Sequence, residues 1–146
     1  NSLATDAWYD PRGLVLKRSN PNGLVEKFAY DGAGRATKSF LGDWGSDSGY
    51  GDADDVTGDA VLEQSETTYD KDGLPLAVVT RQRFHNASGT GALGSPSSGI
   101  GARVSYAGYY YDGAGRTTAA VDVGTNAASA WTRPGSVPSR SDTVLV

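Results

Sequence analysis

His85 is the one histidine of the chain, so any Ser-His-Asp chemistry would have to be built on it. No G-x-S-x-G elbow is present to offer a nucleophile. His85 follows Phe84 and reads as a strand-end residue. Six aspartates, Asp43, Asp47, Asp52, Asp54, Asp55 and Asp59, stand among glycines between residues 42 and 59. Calcium takes six to eight oxygen ligands, and Asp52, Asp54 and Asp55 are the densest candidates. Their spacing matches neither an EF-hand loop nor a Gly-rich nonapeptide repeat. A solvated acidic loop is the favoured reading, and calcium is the one cofactor the sequence admits. Gly89-Thr90-Gly91-Ala92-Leu93-Gly94 satisfies G-x-G-x-x-G, but Ser95-Pro96-Ser97-Ser98-Gly99 follows it. No helix can open there to present its amides to a phosphate. Asn86-Ala87-Ser88 is a glycosylation sequon in an accessible setting. Trp8, Trp44, Trp131 and the run Tyr109-Tyr110-Tyr111 could stack on a carbohydrate partner, although aromatics in strands more often pack. No set of residues here composes a catalytic centre, and the chain is expected not to be an enzyme.

The elements that carry these residues are legible from composition. The chain has 146 residues, 20 Gly, 6 Pro and no Cys. Disulfides, thiol catalysis and Cys-ligated metals are excluded. There are 14 Asp but only 3 Glu. Asp favours turns and Glu favours helices, so the imbalance points to a turn-rich β protein. The net charge of -4 argues against a nucleic-acid partner. At 38% hydrophobic residues and a mean hydropathy of -0.42, the core is expected to be thin. No apolar run approaches the roughly 18 residues of a membrane span. With Asn1 first and no Met, the chain is expected to be a processed subunit or a segment of something longer.

A repeat organises the sequence. Tyr30-Asp31-Gly32-Ala33-Gly34-Arg35 recurs unchanged as Tyr111-Asp112-Gly113-Ala114-Gly115-Arg116. Tyr9-Asp10-Pro11-Arg12-Gly13 and Tyr69-Asp70-Lys71-Asp72-Gly73 are looser copies of the same Tyr-Asp-x-x-Gly pattern, and Asn20-Pro21-Asn22-Gly23 is a degenerate one. Asp is favoured at the first position of a type I turn and Gly at the fourth. A type I turn followed by a left-handed residue makes a hairpin with a bulge, and Gly takes that conformation at no steric cost. Each motif therefore reads as strand, tight turn, strand.

The flanks predict eight strands at about 3–10, 14–19, 24–31, 35–41, 61–70, 74–85, 102–112 and 116–123, with a ninth at Asp142–Val146. The fold class is all-β, an antiparallel array of hairpins in one unit spanning 1–146. Long insert loops interrupt it at 42–59, rich in Gly and Asp, and at 86–101, rich in Gly and Ser. The C-terminal segment 125–146 reads as irregular, and no segment reads as an end cap. Alternation is imperfect. Leu24, Glu26 and Phe28 share the parity of Tyr30, while Val25, Lys27 and Ala29 have the other, and neither set is cleanly apolar. That pattern predicts a sheet covered on both faces, or a wall with partners on each side, in preference to a simple sandwich.

With its Tyr-Asp-x-x-Gly-Arg copies the chain resembles the YD-repeat, or Rhs-repeat, family over about two-thirds of its length. Positions 14 and 74 hold Leu where the other two copies hold Arg. The resemblance implies long hairpin sheets that spiral into hollow shells, as in secreted toxin cocoons and the teneurin adhesion receptors, and hence an extracellular or cell-surface setting. It also implies a structural role for Tyr9, Tyr30, Tyr69 and Tyr111 between hairpins, and for Asp10, Gly13, Asp31, Gly34, Asp70, Gly73, Asp112 and Gly115 in the turns. Some family shells cut their own cargo with paired Asp-Pro-x-Gly motifs. Here Asp10-Pro11-Arg12-Gly13 matches one half, but Asp31 is followed by Gly32 instead of Pro. Two occupants suit the open edges of such a sheet. One is further copies of this chain in a tube or filament, the reading preferred here. The other is the remainder of a larger shell that encapsulates a toxin, mediates adhesion or binds glycans.

Overall fold

The computed structural model describes residues 4–21, 23–43, 50, 53–141 and 144–146. Eight strands form one antiparallel sheet in simple sequence order. They are β1 (Asp6–Tyr9), β2 (Val15–Ser19), β3 (Val25–Tyr30), β4 (Ala36–Asp43), β5 (Ala60–Tyr69), β6 (Pro75–Arg83), β7 (Ala102–Tyr111) and β8 (Thr117–Gly124). All eight expected strands are present, with ends shifted by up to three residues. The ninth is absent among the described residues. Leu145 makes only an isolated antiparallel bridge to Asp122 on the outer edge of β8, and residues 142–143 lie outside the described set.

Hairpin geometry follows from the motif. The register slips at Tyr9, Tyr30, Tyr69 and Tyr111, the residue before each motif aspartate. Gly13, Gly34, Gly73 and Gly115 have φ between 77° and 90°. This is the type I turn with a left-handed glycine and a bulge, four times over. Between hairpins the register also repeats. Lys17 pairs with Lys27, Lys38 with Glu66, and Ala77 with Gly108. In each case the first residue lies seven past one motif aspartate and the second lies four before the next.

Among the described residues of this chain the sheet is covered on one face, not two. Every buried strand residue falls on the face of Lys17, Val25, Lys27, Val61, Gln64, Ala102, Val104, Tyr110 and Val121. Leu62 is an extra residue in the β4–β5 ladder, and this bulge brings Val61 and Gln64 onto the same side. The other face, with Arg18, Glu26, Phe28, Ser39, Ser65, Thr80 and Arg103, contains no buried residue.

Both inserts and the C-terminal segment supply the cover. From the first insert, Ala53 and Asp59 are buried. The second packs Leu93 against Val61 and Ala102, with Phe40, Val56 and Ile100 around them. Gln64 Oε1 accepts the Leu93 amide at 2.7 Å, so the loop is pinned to the sheet by a buried polar side chain. The two inserts join where the Gly91 amide donates to Asp59 O at 2.8 Å. Past β8 the chain turns through Asn126, Ala127 and Ala128, all at positive φ, a conformation that costs about 1–2 kcal/mol per residue outside glycine. That turn delivers Trp131 onto Tyr106 and over Gly108, where a Cβ would meet the indole at 2.8 Å. Tyr110, Val121 and Val123 complete this second cluster. The segment read as irregular thus covers the β7–β8 end of the sheet.

Gly42 sets how closely β4 and β5 approach, because a Cβ there would lie 2.6 Å from Ala60 O and 2.9 Å from Val61 Cα. Both obstacles are backbone and cannot swing aside. Gly42→Ala is therefore expected to destabilise the sheet by about 1–3 kcal/mol, whereas Gly58→Ala, in open space, leaves the unfolding midpoint in urea unchanged.

Candidate functional site

The four turns share one hydrogen-bond pattern. Asp10 Oδ1 accepts the amides of Arg12 and Leu14 at 2.8 and 2.9 Å. Asp31 Oδ1 accepts those of Ala33 and Arg35 at 2.9 and 3.0 Å. Asp70 Oδ1 accepts Asp72 and Leu74 at 2.9 and 2.8 Å, and Asp112 Oδ1 accepts Ala114 and Arg116, each at 2.9 Å. The second carboxylate oxygen takes a guanidinium in three turns. Arg12, Arg35 and Arg116 each donate Nε–H to Oδ2 of their own turn aspartate at 2.7–2.8 Å. Lys71 and Asp72 pair with each other in the fourth.

Tyrosine and arginine then tie the turns together. Tyr30 Oη donates to Val15 O at 2.8 Å, Tyr69 Oη to Ala36 O at 2.9 Å, and Tyr111 Oη to Pro75 O at 2.8 Å. Each acceptor lies five residues past the preceding motif aspartate. In the opposite direction, Arg12 Nη1 donates to Asp31 O at 3.1 Å, and Arg35 Nη1 to Asp70 O at 2.8 Å. Arg35 also lies 4.9 Å from the Tyr69 ring centroid, a cation–π contact. Leu14 and Leu74, at positions held by Arg in the other two copies, place a methyl against Gly34 and Gly115 of the next turn. Tyr30, Tyr69 and Tyr111 therefore bond between hairpins, whereas Tyr9 is 52% exposed at the edge of β1.

The carboxylates of Asp31 and Asp112 are held below the usual range. The amide of the residue four positions on contributes most, followed by the guanidinium of the same residue. Asp10 is subject to burial, which pushes upward, but the Leu14 amide and Arg12 overcome it and its value is also lowered. A proton-sharing pair needs one carboxyl held high. Asp10 and Asp31 are both lowered, Asp10 chiefly by the Leu14 amide and Asp31 chiefly by the Arg35 amide, and each carboxylate is engaged in its own hairpin turn.

The acidic insert has a different use from the one its composition suggested. Lys17 and Lys27 face each other across β2 and β3, and both are buried. Like charges directly opposite are destabilising unless neutralised. Asp59 Oδ2 lies 2.8 Å from Lys27 Nζ, which also donates to Asp55 O. The Lys17 ammonium lies 4.5 Å from the Trp8 ring centroid. Among the calcium candidates, the Asp55 carboxylate caps Thr57, Asp54 is exposed, and Asp52 lies outside the described residues. Among the described residues no three metal-ligating side chains cluster.

Trp131 and Tyr110 are packing residues. Arg133 stacks 4.0 Å from the Tyr110 ring centroid, and Tyr110 Oη donates to Pro134 O. Trp44 lies outside the described residues. Asn86 is exposed in the turn after β6, beside the exposed His85. Sequence reasoning missed the buried lysines, Gln64 and Arg133. The one available signal was Lys27 on the parity of Val25.

Asp59→Ala leaves a buried ammonium without its carboxylate and should cost about 3–5 kcal/mol in denaturant unfolding, whereas Lys27→Met combined with Asp59→Leu should recover most of that loss. Gly34→Val should cost about 1–3 kcal/mol, and Asp31→Ala should lower the thermal midpoint. Because the folded Asp31 value lies below 3.8, its contribution is present above that pH and fades as pH falls through the folded value. The gap between the wild-type and Asp31→Ala midpoints should therefore close on acidification.

The RHS Repeat family pattern matches residues 9–39. No curated protein matches the sequence. Among solved structures, the Tc holotoxin pore of Photorhabdus luminescens with a TccC3 variant is similar to 83% of this chain at 13% identity and a TM-score of 0.39. The TcdB2–TccC3–Cdc42 complex is similar to 82% at 10% identity and a TM-score of 0.36. The chain spans 7% of the length of each of those chains. No helix among the described residues is long and apolar enough to cross a membrane. The stretch similar to the RHS Repeat pattern, residues 9–39, runs from the first motif tyrosine into β4 and forms the opening hairpins of an eight-stranded meander.

Proposed function

We propose that this chain is a structural wall element of an extracellular or cell-surface shell, tube or filament, and that it performs no catalysis. The observation that carries this is the turn-to-turn bonding. The same tyrosine-to-carbonyl bond and the same inter-hairpin register recur at each of the three junctions between motif hairpins. Repetition of one joint is what an extendable sheet needs, because each hairpin buries its surface against its neighbours. The conspicuous titratable groups support the same reading. The motif aspartates hold turns, and Asp59 neutralises a lysine under the first insert.

The finer form of the proposal is that wall cohesion comes from further copies of the chain. A wall made by one longer polypeptide, enclosing a cargo or serving adhesion, is the alternative. Electron microscopy of the native, untagged material tests the wall. Continuous walls in tubes, filaments or closed particles, with density that fits the meander, are the expected result. Native material in which the chain occurs only as dispersed monomers would refute it.

A further inference from the structure

We infer that Asp72, at the tip of the β5–β6 turn, is a modification site: its bond to Gly73 rearranges to isoaspartate, while the same dipeptide in two other turns is held against that reaction. Three Asp-Gly dipeptides occur in the chain, Asp31-Gly32, Asp72-Gly73 and Asp112-Gly113. Aspartate before glycine is chemically vulnerable, because no Cβ shields the next amide from the carboxyl. The glycine nitrogen attacks the aspartate Cγ, and one water leaves with a carboxyl oxygen and the amide proton. The five-membered imide takes a water back at either carbonyl. Opening at one restores aspartate. Opening at the other leaves the main chain running through the former side-chain carboxyl. Atoms balance, and no oxidant or co-reactant is needed.

The fold sets the three dipeptides apart. Asp31 and Asp112 are the first residues of their turns. Oδ1 of each accepts two amides and Oδ2 accepts the guanidinium of Arg35 or Arg116, at 2.7–3.0 Å throughout. Those bonds pin the carboxyl over the turn and favour its ionised form, which is the poor electrophile. The two side chains are 24% and 27% exposed. Asp72 is the third residue of its turn, where the motif supplies no partner for a side chain. Among the described residues its carboxylate meets only the Lys71 ammonium, at 3.0 and 3.1 Å. The Asp72 and Lys71 side chains are 64% and 88% exposed, and an ion pair solvated on both sides restrains little.

The attacking nitrogen is held by one bond. Gly73 N–H donates to Asp70 O at 3.2 Å, closing the turn. Leu74 stands where the turns of Asp31 and Asp112 have an arginine, so no guanidinium braces this turn from within. Exposed turn tips open locally far more readily than the strands they join, and each opening frees the Gly73 nitrogen. The turn that begins at Asp10 is exempt, because Pro11 has no amide hydrogen to give up. Rearrangement at Asp72 inserts a methylene into the main chain of the turn. It moves Gly73 from its left-handed position at φ 90° and draws the Leu74 amide off Asp70 Oδ1. Leu74 packs against Gly115 and Pro75 O accepts the Tyr111 hydroxyl, so the change reaches the junction with the next hairpin.

Ageing the native material for weeks at physiological temperature, in mildly acidic and in neutral buffer, tests this. Isoaspartate is read by peptide mapping and by an isoaspartate-specific methyltransferase with a labelled methyl donor. It should accumulate at Asp72 severalfold faster than at Asp31 or Asp112. In concentrated guanidinium chloride the three rates should converge, because the protection belongs to the fold. Asp72→Glu would need a six-membered ring and should abolish the signal at that position. Asp72→Asn should speed it, since ammonia leaves a side-chain amide more readily than water leaves the acid. Aged wild-type protein should lose thermal midpoint that the aged Asp72→Glu variant keeps. Folded material in which Asp72 forms isoaspartate no faster than Asp31 and Asp112, or a preference for Asp72 that persists unchanged in denaturant, would overturn the inference.

Discussion

A single carboxylate oxygen accepting two amide hydrogens in each turn is the constraint on which the structure rests. It fixes the Tyr-Asp-x-x-Gly segment as a type I turn, and the left-handed glycine then closes the hairpin with a bulge. Once the turn is rigid, the tyrosine before it and the arginine inside it are aimed in fixed and opposite directions. The tyrosine hydroxyl reaches back to one hairpin and the guanidinium reaches on to the next. Register between hairpins is then specified at the turn end of the sheet, where the tyrosine, aspartate and glycine recur in every copy. Loss of the aspartate would release the turn amides and the arginine anchor together.

The rest of the stability comes from covering one face with whatever the inserts provide. The strands by themselves do not carry enough apolar surface for a core. The buried lysine on β3, Lys27, is tolerated because Asp59 and the carbonyl of Asp55 arrive over it from the first insert, while Lys17 on β2 lies over the Trp8 ring. Gln64 does the same for the second insert by accepting a loop amide. Trp131 covers Gly108 at the other end. Three chain segments of unrelated composition therefore perform one task, and each is held by a polar or aromatic contact specific to it. The inserts belong to the folded unit, and Asp59 of the first is the counter-charge of a buried lysine.

The turns were legible in the sequence because a tight turn is a local matter. Asp at the first position and Gly at the fourth follow from backbone geometry, so four turns and eight strands could be read without any tertiary information. The covered face was not legible. Val25, Lys27 and Ala29 do not look like an inward set, because a lysine on a buried face is explained only by an aspartate 32 residues away. The bulge at Leu62 reverses the parity of β5, so alternation there misleads. The cover from residues 125–141 depends on three residues in a left-handed turn, two of them alanines, which no local preference suggests. Long-range packing decided each of these against the local pattern.

Every motif hairpin carries its irregularity at the same place, the tyrosine before the turn. A bulge bends its strand and adds right-handed twist. Four equal bends along one margin of a sheet, with none imposed by the motif on the opposite margin, make the two margins unequal in contour. Each further motif hairpin would add one more bend of the same sense to that margin.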